Sequence, residues 1–113
     1  MKIVDKISVK ELKELAKNIY GDIIKADVDV VKRILIVDME WHADGEAELL
    51  KKGSKQTDLW GINLYPEKFG RSDFIEFDSM INLKPRQNNR TRSVEDPEIR
   101  KQITDIVNEV VHE

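Results

Sequence analysis

Trp41–Pro66, WHADGEAELLKKGSKQTDLWGINLYP, is the stretch on which the fold turns. It carries both tryptophans, one of the two histidines and three of the five glycines. Leu59–Tyr65 alternates, with Trp60, Ile62 and Leu64 on one side, the period of a half-buried strand. Asp44-Gly45 has the chemistry of a two-residue turn, so Glu46–Leu50 reads as a returning strand and Lys51–Ser54 as the next turn. A rival reading makes Asp44 an N-cap and Gly45–Lys52 a short helix, because Glu-Ala-Glu-Leu-Leu-Lys-Lys is rich in helix formers. The hairpin is the favoured expectation, given the strand that follows.

Upstream, Ile34–Trp41 reads as a strand with Leu35, Val37, Met39 and Trp41 inward; its other face begins with Ile34 and Ile36 and ends with Asp38 and Glu40. From Ile24, the residues Ala26, Val28 and Val30 alternate with Lys25, Asp27 and Asp29, so that strand shows its acids to solvent. Val31–Arg33 must reverse the chain without a strong turn residue. Ser8-Val9-Lys10-Glu11 is a capping box, Leu12, Leu15, Ala16 and Ile19 follow at helical spacing, and Gly21 is a stop, which predicts a helix over Val9–Tyr20. Met1–Val4 has the pattern of an edge strand.

Downstream, Pro66–Asp73 is a loop. Phe74–Leu83 reads as a strand with Ile75, Phe77, Ile81 and Leu83 inward, and Lys84–Ser93 as a polar loop. Asp96-Pro97 opens a last helix whose stripe is Ile99, Ile103, Ile106, Val107 and Val110. The expected fold is α+β: an antiparallel meander of about five strands, with N-terminal and C-terminal amphipathic helices packed on its one apolar face.

A chain of 113 residues is one domain, residues 1–113, large enough for a core without covalent staples. With no cysteine, disulfides, thiolate metal sites and cysteine nucleophiles are excluded. The N-terminus has no apolar run of signal-peptide length, and no stretch approaches a membrane span, which leads to the expectation of a soluble cytoplasmic protein without a membrane partner. The net charge of −3 argues against a broad nucleic-acid-coating surface but leaves room for a local basic patch.

That patch is Lys84-Pro-Arg86-Gln-Asn-Asn-Arg90-Thr-Arg92-Ser, four cations with no acid among them. Lys84, Arg86, Arg90 and Arg92 are the candidate anion-binding residues, since the guanidinium fork takes phosphate in bidentate fashion. No accompanying aromatic is expected at the surface, because Trp41 and Trp60 both fall on inward faces. A pocket floored by Trp60, with Asn63 and Tyr65 at its mouth, is a weaker alternative. The bland alternative for the loop is a solvated segment whose arginines pair with acids elsewhere. A second candidate is the ladder Asp38, Glu40, His42, Asp44, Glu46, Glu48, in which His42 and Asp44 would be metal ligands. A third arrangement is a homo-oligomer in which this ladder meets the basic loop of another copy. No cofactor is indicated, and no nucleophile elbow or glycine-rich phosphate loop is present.

The segments His42-Ala43-Asp44, Gly53–Gln56, Asp58–Pro66 (DLWGINLYP) and Ile81–Gln87 (INLKPRQ) resemble an uncharacterised family of small prokaryotic proteins, a domain of unknown function. The resemblance covers the chain from about residue 24 onward. It implies no activity, only a unit complete at this length. The working expectation is an intracellular binding module whose loop 84–92 engages an anionic partner, nucleic acid or acidic protein. The alternative is a metal-assisted enzyme built on His42, Asp44 and neighbouring carboxylates.

Overall fold

The computed structural model describes residues 1–113. Its elements are β1 (Lys2–Val4), β2 (Ile7–Ser8), α1 (Val9–Lys17), β3 (Ile24–Asp29), β4 (Ile34–Met39), α2 (His42–Lys51), β5 (Leu59–Leu64), β6 (Ile75–Glu76), α3 (Pro97–Val110) and β7 (Val111–His112). Five strands form one antiparallel sheet in the order β1-β4-β3-β5-β6, and β2 pairs with β7 in parallel. The fold is α+β, as the periodicity implied.

One face of the sheet carries Ala26, Val28, Leu35, Val37, Trp60, Ile62 and Leu64, and shares a continuous buried core with Leu12 and Ala16 of α1 and Ile103, Ile106, Val107 and Val110 of α3. Both helices are capped as their sequences required. Ser8 accepts from Glu11 N–H, and Asp96 from Glu98 N–H, with Pro97 in the first turn.

The opposite face is not solvated, which corrects the single-faced sheet. Residues 42–51 are a helix, not the returning strand of a hairpin, and α2 lies across β3 and β4, burying Leu49 against Ile36, Met39 and Leu59. The two glycines that suggested turns have other roles. Gly53 (φ 100°) ends α2 in a Schellman arrangement, with Ser54 N–H donating to Leu49 O at 2.9 Å and Gly53 N–H to Leu50 O at 3.1 Å. Gly45 permits close approach: a Cβ there would lie 2.3 Å from Asp27 Oδ2 and 2.6 Å from Met39 Sδ.

A second correction concerns Trp41. Asp38 has φ 69°, and the β3–β4 register slips there, Lys25 facing Met39 while Ala26 faces Val37. The extra residue of this bulge inverts the side-chain parity beyond it. Met39 therefore joins the α2 face, and Trp41 emerges 61% exposed instead of continuing the inward row.

Phe74–Leu83 is likewise not one long strand. Only Ile75–Glu76 pairs with β5, and residues 80–82 form a single 3-10 turn. Ile75 and Phe77 pack on the core as expected, but Met80 and Leu83 are exposed and Asn82 is fully buried. The Val31–Arg33 reversal is supplied by Asp29, whose Oδ1 accepts from the N–H groups of Val31 and Lys32. No helix is long and apolar enough to cross a membrane.

Candidate functional site

Helical geometry divides the acidic ladder. In α2, residues four apart share a face, whereas residues two apart point to different sides. His42, Gly45 and Leu49 are buried toward the sheet, while Asp44 and Glu48 join Asp38 and Glu40 along an outer cleft. His42 and Asp44 thus diverge, and no three His, Asp or Glu side chains gather in an arrangement that could hold a metal ion.

His42 is 7% exposed and its Nε2 lies 2.8 Å from the carbonyl oxygen of Ile62. A carbonyl only accepts, so the ring donates through Nε2–H. Burial lowers the imidazole below its ordinary value, and the Ile62 bond opposes this in part. The folded state then binds protons less readily than the unfolded chain. The stabilisation from His42 is present above the unfolded value of about 6.5 and is lost as pH falls through the lower folded one. The urea midpoint of wild type relative to that of His42→Gln, measured between pH 7 and pH 5, should show this loss. An unchanged pH profile in the variant would contradict the assignment.

Beneath α2, Asp27 is fully buried and neither of its oxygens accepts a hydrogen bond of ordinary geometry. Burial, then the nearby Glu46 charge, pushes its carboxyl well above the usual carboxylate range. Glu46 is raised too, by its own burial, with Lys84 opposing. The alternation that marked Asp27 and Asp29 as outward was right about the face and wrong about solvent, because α2 covers it. Asp29 is buried as well, its Oδ2 accepting from Ser54 Oγ at 2.6 Å.

The basic loop is built on two asparagines. Asn82 donates through Nδ2 to Gly61 O (3.0 Å) and Arg92 O (2.9 Å), and its Oδ1 accepts from Gly61 N–H (2.8 Å), so its amide stands in for a neighbouring strand beside β5. Asn89 Nδ2 donates to Asn82 O and Ser93 O at 2.7 and 2.6 Å, and its Oδ1 accepts from Glu95 N–H. Glu95 in turn accepts from the N–H groups of Arg90 and Thr91 and from the Thr91 hydroxyl, bonds that lower its carboxyl below the ordinary value.

The four loop cations are placed differently. Lys84 is buried, donating from Nζ to Gln56 O at 2.8 Å with Nζ 5.3 Å from the centre of the Trp60 ring. Arg92 is paired with Asp78 at 2.8 Å. Arg86 and Arg90 are exposed, and their guanidinium groups make no ion pair or hydrogen bond to the chain.

An aromatic does accompany this loop at the surface. Trp41, His42 and Ala43 at the start of α2, Lys25, the 79–81 segment and Arg92 line a cleft of about 280 Å³. Trp60, in contrast, is 2% exposed and floors no open pocket. No periodicity argument could have found the cleft, since it depends on the bulge at Asp38.

An antiparallel five-stranded sheet, covered by two helices on one face and one on the other and carrying a pinned basic loop, defines a small α+β domain. The chain belongs to the family described as Protein of unknown function (DUF5674), whose match covers residues 1–110. Neither the curated proteins nor the solved structures yielded a match.

Proposed function

We propose that this chain is a small cytoplasmic binding module whose loop 84–92 engages an anionic partner, a nucleic acid or an acidic protein, with no chemistry performed on it. The observation that carries the reading is the pair Arg86 and Arg90, whose guanidinium groups project unpaired from a loop held by Asn82, Asn89 and Glu95. A loop already ordered loses little further entropy on binding, and a guanidinium fork offers paired donors to phosphate or carboxylate. Of the original four cations, Lys84 serves the interior and Arg92 is held by Asp78, so the binding charge centres on residues 86 and 90.

The test is fluorescence anisotropy with a labelled single-stranded RNA and with a labelled polyglutamate peptide, each at several salt concentrations. Wild type should bind one of them with an affinity that falls as salt rises. If the partner is a single strand, Arg86→Gln/Arg90→Gln should lower the slope of log K against log salt by about 1.4, from about 0.7 per phosphate contact. Wild-type binding that the double variant leaves unchanged in affinity and salt slope would reject the loop as the interface.

A further inference from the structure

We propose that the cleft at the start of α2 is a nucleobase-stacking subsite for single-stranded nucleic acid, with the Trp41 ring as its platform. The inference rests on the reading above and names the partner class. Trp41 and Met80, 61% and 63% exposed, are two of the largest apolar side chains left in water, and both line this one cleft. Exposing a single Met or Trp is ordinary; placing the two together in one cleft points to an occupant.

The backbone supports this placement. Asp38 is one of only three non-glycine residues with positive φ, and the bulge it forms is what turns Trp41 outward. Strain of this kind persists where the surrounding structure over-determines it and clusters at sites of function.

The polar lining selects the ligand. Although the chain carries 22 acidic residues, the cleft is lined by two cations, Lys25 and Arg92, and by no carboxylate. The only acid bound to a lining residue is Asp78, on Arg92. An aromatic face with flanking cations is the arrangement that binds base and backbone of a single strand, with little dependence on base identity. The site is also continuous with the basic loop: Arg92 belongs to that loop and lines the cleft, and its carbonyl accepts from the N–H of Ser79 on the cleft wall. A strand held by Arg86 and Arg90 therefore has a path to the ring.

The experiment titrates the full-length protein with an octauridylate strand, following intrinsic fluorescence and, with a labelled copy, anisotropy. Trp60 is buried, so quenching reports on Trp41. The strand should quench wild type, and Trp41→Ala should abolish the quenching and weaken binding by about 5- to 150-fold, the range for one stacked base. Trp41→Phe should retain most of the affinity. Salt-sensitive strand binding that depends on Arg86 and Arg90, with no quenching and no effect of Trp41→Ala, would overturn the subsite and leave the basic-loop reading intact. Quenching by uridine monophosphate as tight as by the strand would overturn the strand as occupant. Binding of polyglutamate without any strand binding would do the same in favour of an acidic protein.

Discussion

Replacing Asn82 with leucine should remove about 3–5 kcal/mol of stability. The side chain is fully buried and is the side-chain partner of Gly61 N–H and Gly61 C=O, while Arg92 C=O, which it also bonds, keeps Ser79 N–H as a second donor. Leucine keeps the branched outline, is bulkier, and satisfies none of them. An orphaned buried donor or acceptor costs about 1–3 kcal/mol, so the two Gly61 groups together cost about 2–6 kcal/mol, and partial relaxation keeps the sum near the middle of that range. The loss is a large fraction of the roughly 5–15 kcal/mol available to a domain of this kind. The defect should also be local before it is global. The Gly61 amide should lose hydrogen-exchange protection, and the loop from Lys84 to Val94 should loosen, because Arg92 O and Asn89 are tied to the same residue. Urea denaturation of Asn82→Leu beside the exposed-site control Asn108→Leu measures the effect. A difference below about 1 kcal/mol between the two would show that β5 does not depend on this amide.

Asp27→Asn should stabilise the protein near neutral pH and remove part of its pH dependence. The Asp27 carboxyl titrates well above its unfolded value, so the folded state holds a proton that the unfolded chain releases. For a raised acid the contribution is favourable below the unfolded value of about 3.9 and declines as pH rises toward the folded one, with a slope of up to about 1.4 kcal/mol per pH unit. Asparagine has nearly the same shape and no proton to lose, so it removes that slope while leaving the space beneath Gly45 filled. His42 contributes a slope of opposite sign over a window that begins near 6.5 and extends downward, which partly masks the Asp27 effect in wild type. The difference between Asp27→Asn and wild type cancels the histidine and isolates the acid. Parallel stability profiles for the two from pH 4.5 to pH 7.5 would sink the prediction.

These two residues show how far the chain could be read without its structure. Asp27 was visible as an alternating acid on β3, and Asn82 as the polar member of an expected strand. Neither signal says whether the face it marks is wet. Period 2 assigns residues to faces, whereas burial depends on what other element lies across that face. Here that element is α2, whose composition fitted a helix and a hairpin about equally. The strand at Leu59–Tyr65 favours a hairpin before it, and Gly45 and Gly53 are compatible with its turns, since a glycine in sequence does not disclose whether it serves φ > 0, a helix end or a close approach. For the loop, the cluster of cations was legible. Which of them would be free was not, because Lys84 and Arg92 find their partners, Gln56 and Asp78, at positions distant in sequence.

By itself the sequence determined the elements whose signals are local: the capped helices α1 and α3, the strands β3, β4 and β5, the absence of thiol chemistry, and the concentration of arginine between residues 84 and 92. These follow from propensity, capping and periodicity, which act over a few residues. Only the tertiary structure decided that the second face of the sheet is covered, that His42 and Asp44 point apart, and that Trp41 faces outward beside Arg92. These turn on residues 42–51 forming a helix packed across the sheet, and on the one-residue slip at Asp38, which reverses the strand residues after it without altering the hydrophobic pattern.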